Sequence, residues 1–440
     1  MPRMRLALST IFLTALLFSA TSQAGELEDI RALLGQMQIT LQQQQARIEQ
    51  LEKQAATRSA PETAAPTAAS TPLPAARPNA APRIVMASTA GSSPNSIPPS
   101  TQPNATEPSQ PDMPFATFYG RLDIFGEANW GGSTGNRLAI ESGGMTGSRV
   151  GLKGGKALNP ETNFIYQLET GFFANDGKLG QTDSTHTRIF GRQLYVGLEG
   201  RLGKLTVGRQ YSPFFLEMMV YDAFDNGYGS PTNDGNVKPG PTRYDNSIVY
   251  SSPRYHGLAS STFASLGGEN GGVEQSTLGL TLDYAKGPLG LGLAYQYDNH
   301  NTYTDRSSRH AFAGASYQIG SVRLMGGLAG VDTRYDSGID SEWRSWFFGS
   351  RIDVTATGQL RLNYGEGHTP GATIKDRGRV FSAAWMESIN QQFKAYLVWS
   401  RHLNEEGVAF APSGTAANGY YTVNPGDTAN GLAAGVQYYF

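Results

Sequence analysis

The chain has 440 residues, no cysteine and a formal net charge of −2. Charges this evenly balanced leave no electrostatic footprint for nucleic acid. Without cysteine there is no disulfide, thiolate metal site or cysteine nucleophile. Only 16% of the residues are charged, against 53 glycines, 21 tyrosines and 20 phenylalanines.

The first segment, 1–24, reads as a secretory signal peptide. Arg3 and Arg5 precede a short apolar run from Leu6 to Phe18, and Ser22-Gln23-Ala24 is a small-residue cleavage site. The run falls short of the ~20 apolar residues that a spanning helix needs, so the mature protein is expected to start at Gly25, outside the cytoplasm. Residues 25–54 follow with a heptad pattern. Leu27, Ile30, Leu34, Met37, Leu41, Gln44, Ile48 and Leu51 alternate in steps of three and four and share one helix seam. A helix this short gains from self-association, so a coiled coil is expected, with Gln44 as a polar core position that sets register. Packing on another surface is the alternative. Residues 55–114 hold 13 of the 24 prolines with much Ala, Ser and Thr. Such a segment buries too little apolar area to fold and is expected to be an extended, disordered linker.

From residue 115 to the end, alternating segments are punctuated by Gly, Asn, Asp and Pro, and about 16 strands are expected from that pattern. Phe118, Leu122 and Ile124 share one face of the first, with Tyr119, Arg121 and Asp123 on the other. Leu278, Leu280, Leu282 and Tyr284 form one apolar face, as do Leu289, Leu291, Leu293, Tyr295 and Tyr297. Leu360, Leu362 and Tyr364 oppose Arg361 and Asn363. The chain closes on Leu432, Ala434, Val436, Tyr438 and Phe440, again on one face. Many such strands after a secretion signal predict an outer-membrane barrel, because a closed barrel pairs every backbone group within the hydrocarbon.

The longest non-strand stretch in the first half runs from Ser212 to Thr242, and a loop of that length carries function. Its acids include Glu217, Asp222, Asp225 and Asp234. Flanking strands carry Arg121, Arg149, Arg192 and Arg243 at inward phases. With the loop folded into the lumen, its carboxylates are expected to face an arginine row across the narrowest point, where rings of charge set ion preference. For any one of these arginines alone, a solvated strand residue or an interface ion pair would be the reading.

These residues resemble a known family. Residues 115–440 look like the Gram-negative general porins, especially the trimeric porins of β-proteobacterial type. The similar elements are Phe-Tyr-Gly-Arg-Leu-Asp (118–123), Ser-Arg-Val-Gly-Leu-Lys-Gly (148–154), Tyr-Gln-Leu-Glu-Thr-Gly-Phe (166–172), Gly-Arg-Gln-Leu-Tyr-Val-Gly-Leu (191–198), Gly-Arg-Gln-Tyr (208–211), Arg-Tyr-Asp-Asn-Ser-Ile-Val-Tyr-Ser-Ser-Pro (243–253) and the terminal Phe440 as barrel signal. The resemblance implies a 16-stranded antiparallel barrel, three per assembly, with the third external loop folded into each pore. It points to Arg121, Arg149, Arg192 and Arg243 as constriction residues, with Arg209 joining them. It assigns Glu217, Asp222 and Asp225 by location only, since the family's usual Pro-Glu-Phe-Gly-Gly loop element is absent. It implies passive diffusion of ions and small hydrophilic solutes, and the arginine row predicts that anions pass more easily than cations. Its implied partners are two further copies of the chain, outer-membrane lipid and lipopolysaccharide, and the barrel-assembly machinery, with no nucleic acid.

General porins usually lack a coiled coil before the first strand, whereas some channels for small dicarboxylates carry one, so a solute-specific carboxylate channel is an alternative. A trimeric adhesin or a cell-wall tether, with the coiled coil as periplasmic stalk, is another. No cofactor or metal is expected. The Asp-Asn-Gly and Asn-Asp-Gly stretches at 225–227 and 233–235 lack the spacing of a calcium loop. Gly131-Gly132-Ser133-Thr134-Gly135 matches a nucleophile elbow in letters only, with no helix signal after it, so no enzyme is expected.

Overall fold

In the computed structural model, residues 116–181, 187–238, 240–267, 276–299, 305–335, 337–338, 340–415 and 420–440 are described. The signal peptide, the heptad positions Leu27 to Leu51 and the linker lie outside them.

The described chain is one antiparallel sheet of 17 strands. In order these are β1 (Thr117–Trp130), β2 (Arg137–Ser142), β3 (Arg149–Asn159), β4 (Thr162–Gly171), β5 (Gln193–Gly200), β6 (Gly203–Tyr211), β7 (Arg243–Ser251), β8 (Leu258–Ser265) and β9 (Thr277–Lys286). There follow β10 (Leu289–Asn299), β11 (Asp305–Ile319), β12 (Val322–Tyr335), β13 (Ser341–Asp353), β14 (Gly358–His368), β15 (Gly378–Ser388), β16 (Phe393–Asn404) and β17 (Thr428–Tyr439). Each strand pairs with its successor, apart from a break between β2 and β3. β1 pairs with β17 from Arg121↔Tyr439 to Trp130↔Asn430, so the sheet closes on itself. Closure removes the edges that would leave N–H and C=O groups bare in lipid. β2 pairs with one half of β1 and β3 with the other, so the two form a single stave. Counted that way, the 17 strands make the expected 16-stranded barrel.

The break within that stave has a physical cause. The Asp123 carboxylate, on the inner face of β1, accepts from the backbone N–H groups of Gly144, Met145 and Thr146 at 3.1, 3.2 and 3.0 Å. It also accepts from Tyr396 and Gln437 at 2.7 Å each. A lumenal acid is thereby tied into a backbone bulge.

The alternation read from sequence is the alternation of the wall. Leu122, Leu280, Leu291, Leu293, Phe348, Leu362 and Val436 are exposed on the outside, while Arg121, Asp123, Arg361, Asn363 and Gln437 are buried inside. Among the described residues no helix is long and apolar enough to cross a membrane; the strands do so. Phe440 ends the last stave, with backbone bonds to Gly120 in both directions (2.9 and 3.2 Å). Its ring meets those of Phe118 and Tyr438 at centroid distances of 5.9 and 5.8 Å. Phe393 extends this aromatic patch, as expected of an interfacial girdle.

Candidate functional site

Between β6 and β7 the chain leaves the wall at Ser212 and returns at Arg243, the bounds expected of the long loop. It opens with a helix, α1 (Pro213–Val220), started by Pro213 and capped by Ser212, whose Oγ accepts from Phe215 N at 3.4 Å. The helix is apolar nearly all round, which suits burial on every side. Phe214, Phe215, Met218 and Met219 pack with Tyr221, Val237, Ala294, Phe312, Ala329 and Phe347. Tyr221 needs a notch in the wall, supplied by the cross-strand pair Gly292↔Gly314. A Cβ on either glycine would overlap the Tyr221 ring.

Beyond α1 the loop is fastened to one side of the lumen. Arg351 donates to the Asp222 carbonyl (2.7 Å), the Ala223 carbonyl (2.9 Å) and the Asp225 carboxylate (2.5 Å). Arg361 donates to Asp225 at 2.8 Å. Further on, Ser382 donates to the Gly229 carbonyl at 2.7 Å and Trp343 to the Asn236 carbonyl at 2.9 Å. His402 Nε2 lies 3.1 Å from Asp234, both fully buried. The loop therefore lines the walls from β10 to β16.

The loop acids were expected to face the arginine row; the structure instead commits Asp222, Asp225 and Asp234 to holding the loop and sets Glu217 against the wall. Asp222 accepts from Phe224 N (2.9 Å), Asn226 N (2.7 Å), Ser230 Oγ (2.6 Å) and Thr232 Oγ1 (2.8 Å), as a turn-forming aspartate does. Asp225 is the counter-ion of Arg351 and Arg361. Burial alone would raise its carboxyl, but these two guanidiniums outweigh that and hold it below its ordinary value. Glu217 faces the wall at Gly292, with Oε1 lacking a hydrogen-bond partner. Burial pushes its carboxyl up to about 8, against the opposing charge of Arg254, so near neutral pH it is mostly uncharged.

Across the lumen, Arg149, Arg192 and Arg243 come together as expected. Arg192 Nε is 2.7 Å from Glu169 Oε1, and Arg149 Nε is 3.9 Å from the other oxygen. Tyr119 donates to Glu169 at 2.8 Å. Arg192 donates to the Tyr211 hydroxyl at 2.5 Å, and Arg243 bonds the same hydroxyl while lying 4.0 Å over its ring. Tyr211 stacks in turn on Phe215 of α1, so the loop helix and the arginines share one aromatic brace. Two guanidiniums thus share one carboxylate, and the third, Arg243, joins them through the Tyr211 hydroxyl. Arg121 also points inward, opposite Arg149 in register, with its guanidinium 4.2 Å from the Tyr439 ring.

Arg209 does not join them. It stands opposite Leu194, which is exposed on the outer wall, and cross-strand partners share a face. Its guanidinium is 2.7 Å from Asp245, which Arg188 also binds. Its place follows from plain alternation, since Leu205, Val207 and Arg209 share the outer face of β6, and it was the family motif rather than the phase that pointed Arg209 inward. Sequence reasoning also passed over Glu169, Tyr211, Arg351 and Arg361 as site residues. Arg361 does carry the signal that would have found it, a cation between two outward leucines.

The sequence profile of the Gram-negative porin family matches residues 109–440. The chain belongs to the Gram-negative porins. Outer membrane porin protein 32 of Delftia acidovorans is 25% identical over 326 residues, 69% of this chain and 88% of that protein. Among solved structures, the anion-selective porin from Comamonas acidovorans is similar at a TM-score of 0.64 and 22% identity, over 74% of this chain and 99% of that one. A trimer form of OmpT from Vibrio cholerae is similar at 0.56 and 14% identity, over the same share of each. As a porin of the outer membrane, the chain is a passive diffusion channel. Membership in this family implies a channel rather than an enzyme.

Proposed function

We propose that the pore prefers anions, and that Arg149, Arg192 and Arg243 set the preference. The observation that carries this is the imbalance of charge around the arginine group. Glu169 is the one carboxylate paired with Arg149 and Arg192, and Arg243 has a tyrosine hydroxyl instead, while the loop acids are paired, turned into the loop or neutral. Arginine keeps its charge at every relevant pH, and uncompensated lumen charge biases which ions enter. The name of the Comamonas relative agrees with this preference.

We further propose a homotrimer, in line with the trimer form of the Vibrio relative, inserted by the barrel-assembly machinery and surrounded by lipid and lipopolysaccharide. Residues 25–54 would form its periplasmic coiled coil, raising the effective concentration of the three protomers through the linker.

The test is the reversal potential of the variant carrying Arg149→Ser, Arg192→Ser and Arg243→Ser under a potassium chloride gradient. It is expected to move in the cation direction relative to the unaltered protein. An unmoved potential in a channel of normal step size would refute the arginine assignment.

A further inference from the structure

On the periplasmic side of the loop lies a cavity of about 540 Å³, within the range of small-molecule sites. Asp225, Met145 and Thr146 border it, and it reaches the turn at Thr355, Ala356 and Thr357. Short turns mark the periplasmic end of such barrels. Arg121, Arg351, Arg361 and Lys394 line it, with Asp225 and Asp353 as its acids.

The four cations are not equivalent. Arg351 and Arg361 hold Asp225 at 2.5 and 2.8 Å. Arg121 and Lys394 have no carboxylate within ion-pair distance among the described residues. Both instead flank one ring, with the Arg121 guanidinium 4.2 Å and Lys394 Nζ 5.4 Å from the centre of Tyr439. Arg121 is only 2% exposed, yet its Nε and Nη2 have no hydrogen-bond partner. These two nitrogens form the side-on edge of the guanidinium, whose two parallel N–H groups match the paired oxygens of a carboxylate or phosphate. A buried fork without an acceptor is costly to keep, and a bound oxyanion relieves that cost.

We propose that this cavity is a second anion site, in which the Arg121 fork and the Lys394 ammonium hold a small oxyanion carrying two negative charges, a dicarboxylate or a phosphate. This rests on the porin reading and extends it to a site that adjoins the Arg149–Arg192–Arg243 group, since Arg121 stands opposite Arg149 in register and Thr146 at the cavity border accepts from Arg149 at 3.1 Å. An ion leaving that group would have a second resting place beneath the loop, and successive weak sites favour conduction over trapping.

The experiment is block of single-channel chloride current by succinate or inorganic phosphate added on the periplasmic side. The unaltered protein is compared with Arg121→Gln, Lys394→Gln and the double variant. Concentration-dependent block is expected, with the half-blocking concentration raised about tenfold or more in the double variant, as loss of a charge-assisted fork implies. The more potent of the two anions assigns the headgroup as carboxylate or phosphate. An unchanged half-blocking concentration in the double variant overturns the proposal. So does block that Arg149→Ser removes while the double variant retains it. Step size and reversal potential in chloride alone, read from the same traces, report folding and the anion preference independently of this site.

Discussion

At the residue scale, the decisive feature is where each charge finds its partner. Asp123 stabilises a backbone bulge, Asp222 a turn and Asp225 an arginine pair. Glu217 is the exception, because it has no close counter-charge and its carboxyl lies near 8. Its pH effect has a definite sign. A carboxyl raised on folding favours the docked loop most fully below the ordinary carboxyl value, and that support fades as pH rises through about 8. Open-channel noise in a planar bilayer should therefore grow between about pH 6 and about pH 9 as Glu217 ionises and α1 loosens. Glu217→Gln, which stays neutral with nearly the same shape, should remain quiet across that interval. Noise that rises equally in the variant would remove Glu217 from the account.

At the scale of the element, the pore loop behaves as a packed insert rather than a free strand of chain. α1 supplies an apolar plug, Tyr221 keys into the Gly292↔Gly314 notch, and the arginines of β13 and β14 grip the segment behind it. A side chain at Gly314 would meet the ring of Tyr221 and that of Phe312. Gly314→Ala should therefore displace the loop, at a cost of about 1–3 kcal/mol for overpacking. Single-channel conductance and protease cleavage within 212–242 would both change, while the barrel band on a gel would not. Unaltered conductance and cleavage would mean that Tyr221 does not key the loop.

At the scale of the whole molecule, most of the architecture was legible because a barrel wall writes itself as period-two alternation. Phe118 and Leu122 against Arg121 and Asp123, or Leu360 and Leu362 against Arg361, give each wall position its side directly. The loop bounds were equally clear, from the last residue of β6 to the first of β7. Where the pattern was set aside for a family motif, as at Arg209, it would have been right, since Leu205, Val207 and Arg209 alternate onto the outer wall, but it does not show which residues pair across a strand irregularity. Nor could it carry pairing across the lumen. Asp225 lies far in sequence from Arg351 and Arg361, and only closure of the barrel brings them together. Reading the acids as pore-facing followed from knowing their loop but not their partners.

The central claim is that this barrel conducts passively and that its uncompensated arginines favour anions. The most direct measurement is single-channel current of the unaltered protein in a planar bilayer under a potassium chloride gradient. The account predicts discrete open steps with a reversal potential on the chloride side. Steps that reverse on the potassium side would contradict it and return control of the pore to Glu217, Asp222 and Asp225.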